Sequence, residues 1–210
     1  MILAAYLFRY VFLVKEVIPI KAMEEKILKE GQILPGNILK VGSFLNQQID
    51  TAFLKEMGKE IARLFDGSGV NKILTVEASG IAIATAAAFY MNVPVVFAKK
   101  GDSKNMSSDR LCAEVKSFTK GTVNVISVDR AYITPSDRIL IIDDFLADGN
   151  ALKGLLSIVK GAKAEVAGAC IAIEKGFQGG GDAIRAEGIR VESLAIIDSM
   201  SEDSLTFRAQ

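Results

Sequence analysis

The sequence predicts an α/β protein built on a central, mostly parallel sheet flanked by helices. Three observations carry that expectation. Short runs such as Ile139–Ile142, Lys72–Val76 and Val166–Ile173 are continuously apolar or nearly so, as strands buried on both faces should be. Helical patterns alternate with these runs along the chain. The 210 residues are 50% hydrophobic, with 25 basic and 25 acidic side chains. That is chain enough for a sizeable core, and too balanced in charge to attract nucleic acid through net charge.

Taken in order, Ile2 to Val14 is mostly apolar but interrupted by Arg9, and is short for a membrane span. It lacks the basic lead and small-residue cleavage pattern of a signal peptide. Met23 opens a clean amphipathic helix, so the start is expected at Met23, with residues 1–22 an apolar extension and residues 23–210 one domain. The helix should run to Glu30 and stop at Gly31. A loop and extended piece, Gln32–Gln48, comes after it. Asp50 can cap a helix whose one face carries Leu54, Met57, Ile61, Leu64 and Phe65, with Gly67 closing it. Strand Lys72–Val76 then leads through Glu77–Gly80 into an Ala-rich helix, Ile81–Met91. Strand Val93–Ala98 and a polar segment from Lys99 to about Asp109 come next. Val115–Thr119 and Val123–Val128 form a hairpin around Lys120 and Gly121. Strand Ile139–Ile142, helix Leu152–Lys160, strand Val166–Ile173, a Gly-rich loop Gly176–Gly181, a short helix and strand Val191–Ile197 complete the alternation.

Composition narrows the chemistry. There is no histidine, which excludes a Ser-His-Asp triad, histidine metal sites and histidine general bases. Two cysteines imply no disulfide framework and suit a reducing cytoplasm. No Gly-x-x-x-x-Gly-Lys-Ser/Thr occurs. Catalysis is left to carboxylates, lysines, backbone amides or a metal that arrives with the substrate.

The richest stretch is Arg138–Lys153. Asp143 and Asp144 come directly after the apolar run, where the strand is expected to leave the sheet, and can accept hydrogen bonds from two vicinal ribose hydroxyls. The small-residue loop Ala147-Asp148-Gly149-Asn150-Ala151 then opens a helix, whose free N–H groups and positive dipole end suit a phosphate. Strand, acid pair, small loop and helix start together describe a sugar-phosphate site. Glu77-Ala78-Ser79-Gly80, between another strand and helix, offers a second backbone cradle for an anion. Lys99, Lys100 and Lys104 can neutralise a pyrophosphate there, and their polar loop can close over the site to exclude water. At a third strand end stand Lys175, a side-chain donor, and Phe177, a ring that can stack on a planar partner.

The stretch Arg138–Lys153 resembles the phosphoribosyl-pyrophosphate signature of the type I phosphoribosyltransferases. Leu39-Lys-Val-Gly-Ser-Phe-Leu-Asn46 and Glu174-Lys175-Gly-Phe177 resemble the base-site segments of their bacterial xanthine-specific branch, and the likeness covers Met23–Phe207. The resemblance implies the fold of that family, a parallel sheet with a small hood near the N-terminus for the base. It implies transfer of ribose 5-phosphate to xanthine, with guanine or hypoxanthine, or a non-catalytic purine sensor of the same fold, as alternatives. It further implies that Leu39 and Asn46 contact the base and Lys175 reads an oxygen on it. Ala147–Ala151 would hold the 5-phosphate and Glu77–Gly80 the pyrophosphate, often with a non-proline cis peptide. Asp143, Asp144 and Lys104 would act in catalysis, and Mg²⁺ would be carried by the substrate with no dedicated protein metal site. A cytoplasmic homodimer is expected, binding neither nucleic acid nor membrane. Three places depart from the family pattern: Ala78 for a serine, Gly42 for an acid, and Asp148 and Asn150 in a loop often written Ala-Asn-Gly-Gln-Ala. Asp148 is expected to face outward, leaving the backbone amides to the phosphate.

Overall fold

The computed structural model describes residues 19–101, 108–116 and 123–209. Residues 1–18 of the apolar extension, Lys104 and the Lys120-Gly121 turn lie outside them. Along the chain run α1 (Pro19–Glu30), strands β1 (Gln32–Leu34) and β2 (Ile38–Lys40), a π-helical turn (Gly42–Asn46) and α2 (Thr51–Leu64). Next come β3 (Lys72–Val76), α3 (Ser79–Met91), β4 (Val95–Lys100), β5 (Arg110–Lys116) and β6 (Val123–Asp129). After these stand β7 (Arg138–Leu146), α4 (Asn150–Gly161), β8 (Glu165–Lys175), a 3-10 turn (Gly176–Gln178) and α5 (Gly180–Ala186). The chain ends on β9 (Val191–Ser193), β10 (Ile196–Ser201) and β11 (Ser204–Phe207).

Among the described residues, nine strands share one sheet in the order β11-β10-β8-β7-β3-β4-β6-β5, with β9 also on β8. The centre is parallel: β4, β3, β7 and β8 pair in one direction, as do β9 and β10 against β8. Antiparallel pairing is confined to the two margins, β4-β6-β5 and β10-β11. The short β1–β2 hairpin stands apart as its own ladder.

The continuous apolar strands are explained by two cores. Ile73, Leu140, Ile142, Cys170 and Ala172 pack with Met23, Ile27, Met57, Ile61, Ile83 and Ala87 of α1, α2 and α3. Leu74, Ile139, Ile141, Ala169 and Ile171 pack on the other face with Leu152, Leu155, Ile158 and Val159 of α4. Burying one such side chain stabilises by roughly 1.5–3 kcal/mol, so both faces of each central strand must be apolar. Asp50 caps α2, accepting from Phe53 N–H at 3.1 Å. Gly58 lets α2 close on α3, since a Cβ there would stand 2.6 Å from the Ala86 carbonyl.

Several boundaries differ from expectation. Helix α1 begins at Pro19, four residues before Met23; a proline tolerates the first helical turn, where its missing N–H is not needed. The extended piece within Gln32–Gln48 is a hairpin, and part of the expected loop is a π-helical turn. Strand β4 starts after Pro94 and carries Lys99 and Lys100 into the sheet, paired to Ser127 and Ile126. Strand β5 begins at Arg110, directly after the expected polar segment and ahead of the expected start at Val115. The Gly-rich segment after β8 coils into a 3-10 turn and the start of α5. The expected strand Val191–Ile197 is broken between β9 and β10, and β11 adds a strand beyond the expected set. Cys170 is buried in β8 and Cys112 is exposed on β5, both unbridged. No described helix is long and apolar enough to cross a membrane.

Candidate active site

The acid pair does not stand where β7 leaves the sheet. Strand β7 parts from β3 after Ile141 but stays paired to β8 as far as Leu146. Asp143 and Asp144 therefore border an opening on the β3 side while the sheet still grips them on the other. Asp143 is 5% exposed and Asp144 half-buried. The Asp143 carboxylate accepts from the Asp144 N–H at 3.0 Å. Burial first, and the neighbouring Asp144 charge second, push the Asp143 carboxyl well above the usual carboxylate range, against a downward pull from Lys100.

From β7 the chain enters the loop 147–149, and Gly149 at φ +85° turns it into α4. The first helical hydrogen bond is Lys153 N–H to Gly149 O at 2.9 Å. The N–H groups of Asn150, Ala151 and Leu152 thus lie ahead of the ladder, as at any helix start. Asp148 does not face outward. Its carboxylate accepts from the Asn150 N–H at 3.1 Å and from the Asn150 side-chain amide at 2.6 Å. The reason is local: the nearest carboxylate to an unpaired helix start, two residues upstream, turns back to satisfy it. The loop is braced from behind by α5, where Gly180 N–H donates to Ala147 O at 3.2 Å. A Cβ on Gly180 would stand 2.6 Å from Gly149 N.

Across the cavity, Glu77 follows the end of β3, and the Glu77–Ala78 peptide bond is cis, as the family likeness implied. The Glu77 carboxylate accepts from Lys100 N–H at 2.7 Å, tying this loop to β4. Beneath it, the Thr75 hydroxyl is fully buried and has no hydrogen-bond partner among the described residues. A Cβ on Gly80 would collide with that hydroxyl and come within 3.4 Å of Asp143 Oδ1, so only glycine lets α3 start so close.

One cavity of about 340 Å³ joins these parts, lined by Glu77, Ser79, Lys100, Asp143, Asp144 and the whole loop 147–151. Most of the sequence-derived sugar-phosphate and pyrophosphate residues thus meet. Lys99 does not: strand alternation turns it to a groove on the other side, with Phe97, Val128 and Tyr132. No described group of three or more acidic, cysteine or histidine side chains could cage a metal. Asp143 and Asp144 offer the cavity hard carboxylate oxygens of the kind Mg²⁺ takes.

Of the residues expected at the base, Lys175 ends β8 and Phe177 lies in the 3-10 turn after it. Lys175 donates to Asn37 O at 2.8 Å, linking β8 to the β1–β2 turn, and its ammonium lies 5.8 Å from the Phe145 ring centroid. Burial lowers the Lys175 pKa. Phe177 is 36% exposed, and Asn46 is exposed at the end of the π-helical turn. Leu39, by contrast, is 6% exposed and packs into the core. Sequence reasoning missed the support behind Lys175. Glu174, fully buried, accepts from Arg185 at 2.9 and 2.7 Å and from Ser193 Oγ at 2.5 Å. The one signal was the acid beside Lys175 at the end of an apolar strand, which demands a buried partner.

A parallel sheet that delivers two acids and two anion-binding backbone turns into one cavity at its carboxyl edge is the construction of an α/β enzyme acting on phosphorylated sugars. The chain belongs to the phosphoribosyltransferase family, residues 46–180 matching the phosphoribosyl transferase domain. Xanthine phosphoribosyltransferase of Alkaliphilus metalliredigens is 55% identical over 186 residues, 89% of this chain and 92% of the relative. Xanthine phosphoribosyltransferase 2 of Clostridium botulinum is 52% identical over 189 residues, 90% of this chain and 100% of the relative. Adenine phosphoribosyltransferase from Giardia lamblia shares the fold at a TM-score of 0.71 and 17% identity, covering 83% of this chain and 96% of that one. The Thermoanaerobacter pseudethanolicus adenine enzyme does so at 0.67 and 19%, covering 83% and 98%.

Proposed function

We propose that the protein transfers ribose 5-phosphate from 5-phosphoribosyl 1-pyrophosphate to a ring nitrogen of xanthine, releasing pyrophosphate and forming xanthosine 5'-monophosphate for purine salvage. The observation that carries this reading is the convergence of Asp143, Asp144, Glu77, Ser79 and residues 147–151 on one cavity. The names of the relatives more than 50% identical support xanthine as the acceptor.

The C1–oxygen bond to pyrophosphate breaks as the bond to the base nitrogen forms, so positive charge gathers on the ribose and negative charge on the leaving group. Asp143 and Asp144 hold the ribose hydroxyls and keep negative charge near the developing cation. The amides of residues 149–151 hold the 5-phosphate. The loop 77–80 and Lys100 receive the pyrophosphate, and the family likeness gives Lys104, outside the described residues, a share in catalysis. Asp144, on the cavity wall, would face Mg²⁺ brought in with the donor, which would supply further positive charge to the leaving group. Lys175 reads a base oxygen, Asn46 a second, and Phe177 covers the ring. Adenine would set an amine against Lys175, two donors facing each other.

Residues 23–210 are taken as the catalytic unit, with residues 1–22 an addition to it. A homodimer is the functional assembly, for which the exposed Phe89, Tyr90, Phe97 and Tyr132 supply apolar surface. The unbridged thiols suit the cytoplasm.

Xanthine, guanine, hypoxanthine and adenine offered together with the sugar donor and Mg²⁺ test the assignment. Xanthosine 5'-monophosphate should dominate the products; predominance of another nucleotide reassigns the acceptor, and no nucleotide at all favours a sensor. Asp144→Asn should cut turnover by about a hundredfold or more with the melting temperature nearly unchanged. Near wild-type turnover in that variant would retire the ribose-holding role.

A further inference from the structure

Asp148 stands inside the loop assigned to the 5-phosphate, and its role toward that group rests on the assignment. Its carboxylate is already an anion bound at the start of α4, accepting from Asn150 N–H at 3.1 Å and from the Asn150 amide at 2.6 Å. The backbone N–H of Asn150 is one of the donors a phosphate at this helix start would take. Asp148 also lines the same cavity as Asp143 and Asp144. We infer that the Asp148 carboxylate competes with the 5-phosphate of the sugar donor for the α4 amides, and so sets the affinity for the donor.

The competition is relieved through the side chain, not by movement of the loop. Gly180 N–H holds Ala147 O at 3.2 Å, and Lys153 N–H holds Gly149 O at 2.9 Å. Gly149 is backed by Ile184, whose Cδ1 would lie 3.1 Å from a Cβ added there. With the backbone fixed on these sides, an entering phosphate and the Asp148 carboxylate cannot share the Asn150 N–H. Like charges at contact distance repel, and a half-buried loop screens that repulsion less than open water does. The carboxylate must therefore rotate away each time the donor binds. The amides gain a phosphate and lose a carboxylate, and the net affinity is lower than a neutral residue at position 148 would give.

The test is calorimetric titration of the full chain with ribose 5-phosphate alone, in wild type, Asp148→Asn and Asp148→Ser. Both variants keep a short acceptor able to cap the helix, so the fold survives in at least one. Asp66→Asn serves as a charge control, because Asp66 lies in the turn before β3, at the opposite end of the sheet. Either Asp148 variant should bind about tenfold tighter, equivalent to about 1.4 kcal/mol, and Asp66→Asn within about twofold of wild type. The KM for the sugar donor should fall in parallel, with the KM for the base unmoved. Equal or weaker binding by both Asp148 variants while wild type binds and turns over overturns this inference alone. Wild type that neither binds ribose 5-phosphate nor forms a nucleotide overturns the functional assignment and this inference with it.

Discussion

Lys175 shows how a single side chain can divide its work between fold and chemistry. Its ammonium holds the Asn37 carbonyl at the tip of the β1–β2 hairpin, and a base oxygen would present the same kind of acceptor to it. Burial lowers its pKa, and the Asn37 carbonyl and the Phe145 ring are the partners its ammonium meets there. The fully buried Glu174 beside it is satisfied by Arg185 and Ser193, which fixes the backbone from which Lys175 projects. Lys175→Met keeps the length of the stem and removes the donor. It should lower kcat/KM for xanthine by roughly 10–100-fold, the cost of about 1–3 kcal/mol for a buried acceptor left unpaired, while adenine loses little. Steady-state kinetics with each base alone would check this; an equal loss for both bases would assign Lys175 to hairpin support only.

Between elements, the contact of α5 with the phosphate loop decides geometry at a distance from any charged group. A Cβ on Gly180 would press on the backbone of Ala147, Asp148 and Gly149, which has no flexible end to give way. Gly180→Ala should therefore displace the loop and raise the KM for the sugar donor several-fold, with a smaller effect on the KM for the base. Initial-rate measurements at varied donor would register it, and an unchanged donor KM would show that the loop yields freely. This contact is not legible in the sequence, where Gly179–Gly181 reads only as a Gly-rich loop. The donor side is far more readable. Its strand, acids, loop and helix are consecutive, so local order alone brings Asp143 near Asn150. The acceptor side joins Lys175 to Asn37 across 138 positions, and nothing local announces that meeting. Strand β11 is hidden for a different reason: Ser204-Leu-Thr-Phe207 alternates polar and apolar residues, but over only four positions, too few to mark a strand. The direction of Lys99 depends on sheet alternation in a segment whose composition reads as loop.

For the molecule as a whole, burying Asp143 opposes stability above acidic pH. Its carboxyl has a raised pKa in the folded protein, so folding is favoured while the group is protonated. That contribution is fully present below the unfolded-state pKa, near 3.9, and is lost as pH rises through the higher folded-state value. Asp143→Asn should therefore raise the melting temperature relative to wild type, by more at pH 8 than at pH 5, while turnover falls. Thermal unfolding at the two pH values would decide it; a stabilisation independent of pH would assign the effect to packing. The separation of β1–β2 from the main sheet has its own consequence. On the proposed function, the grip on the sugar would be built into the shared strands, whereas the Asn37 turn beside Lys175 belongs to a separate ribbon. Over evolutionary time, the choice of nucleobase can drift through changes in that ribbon while the machinery for the common donor stays still.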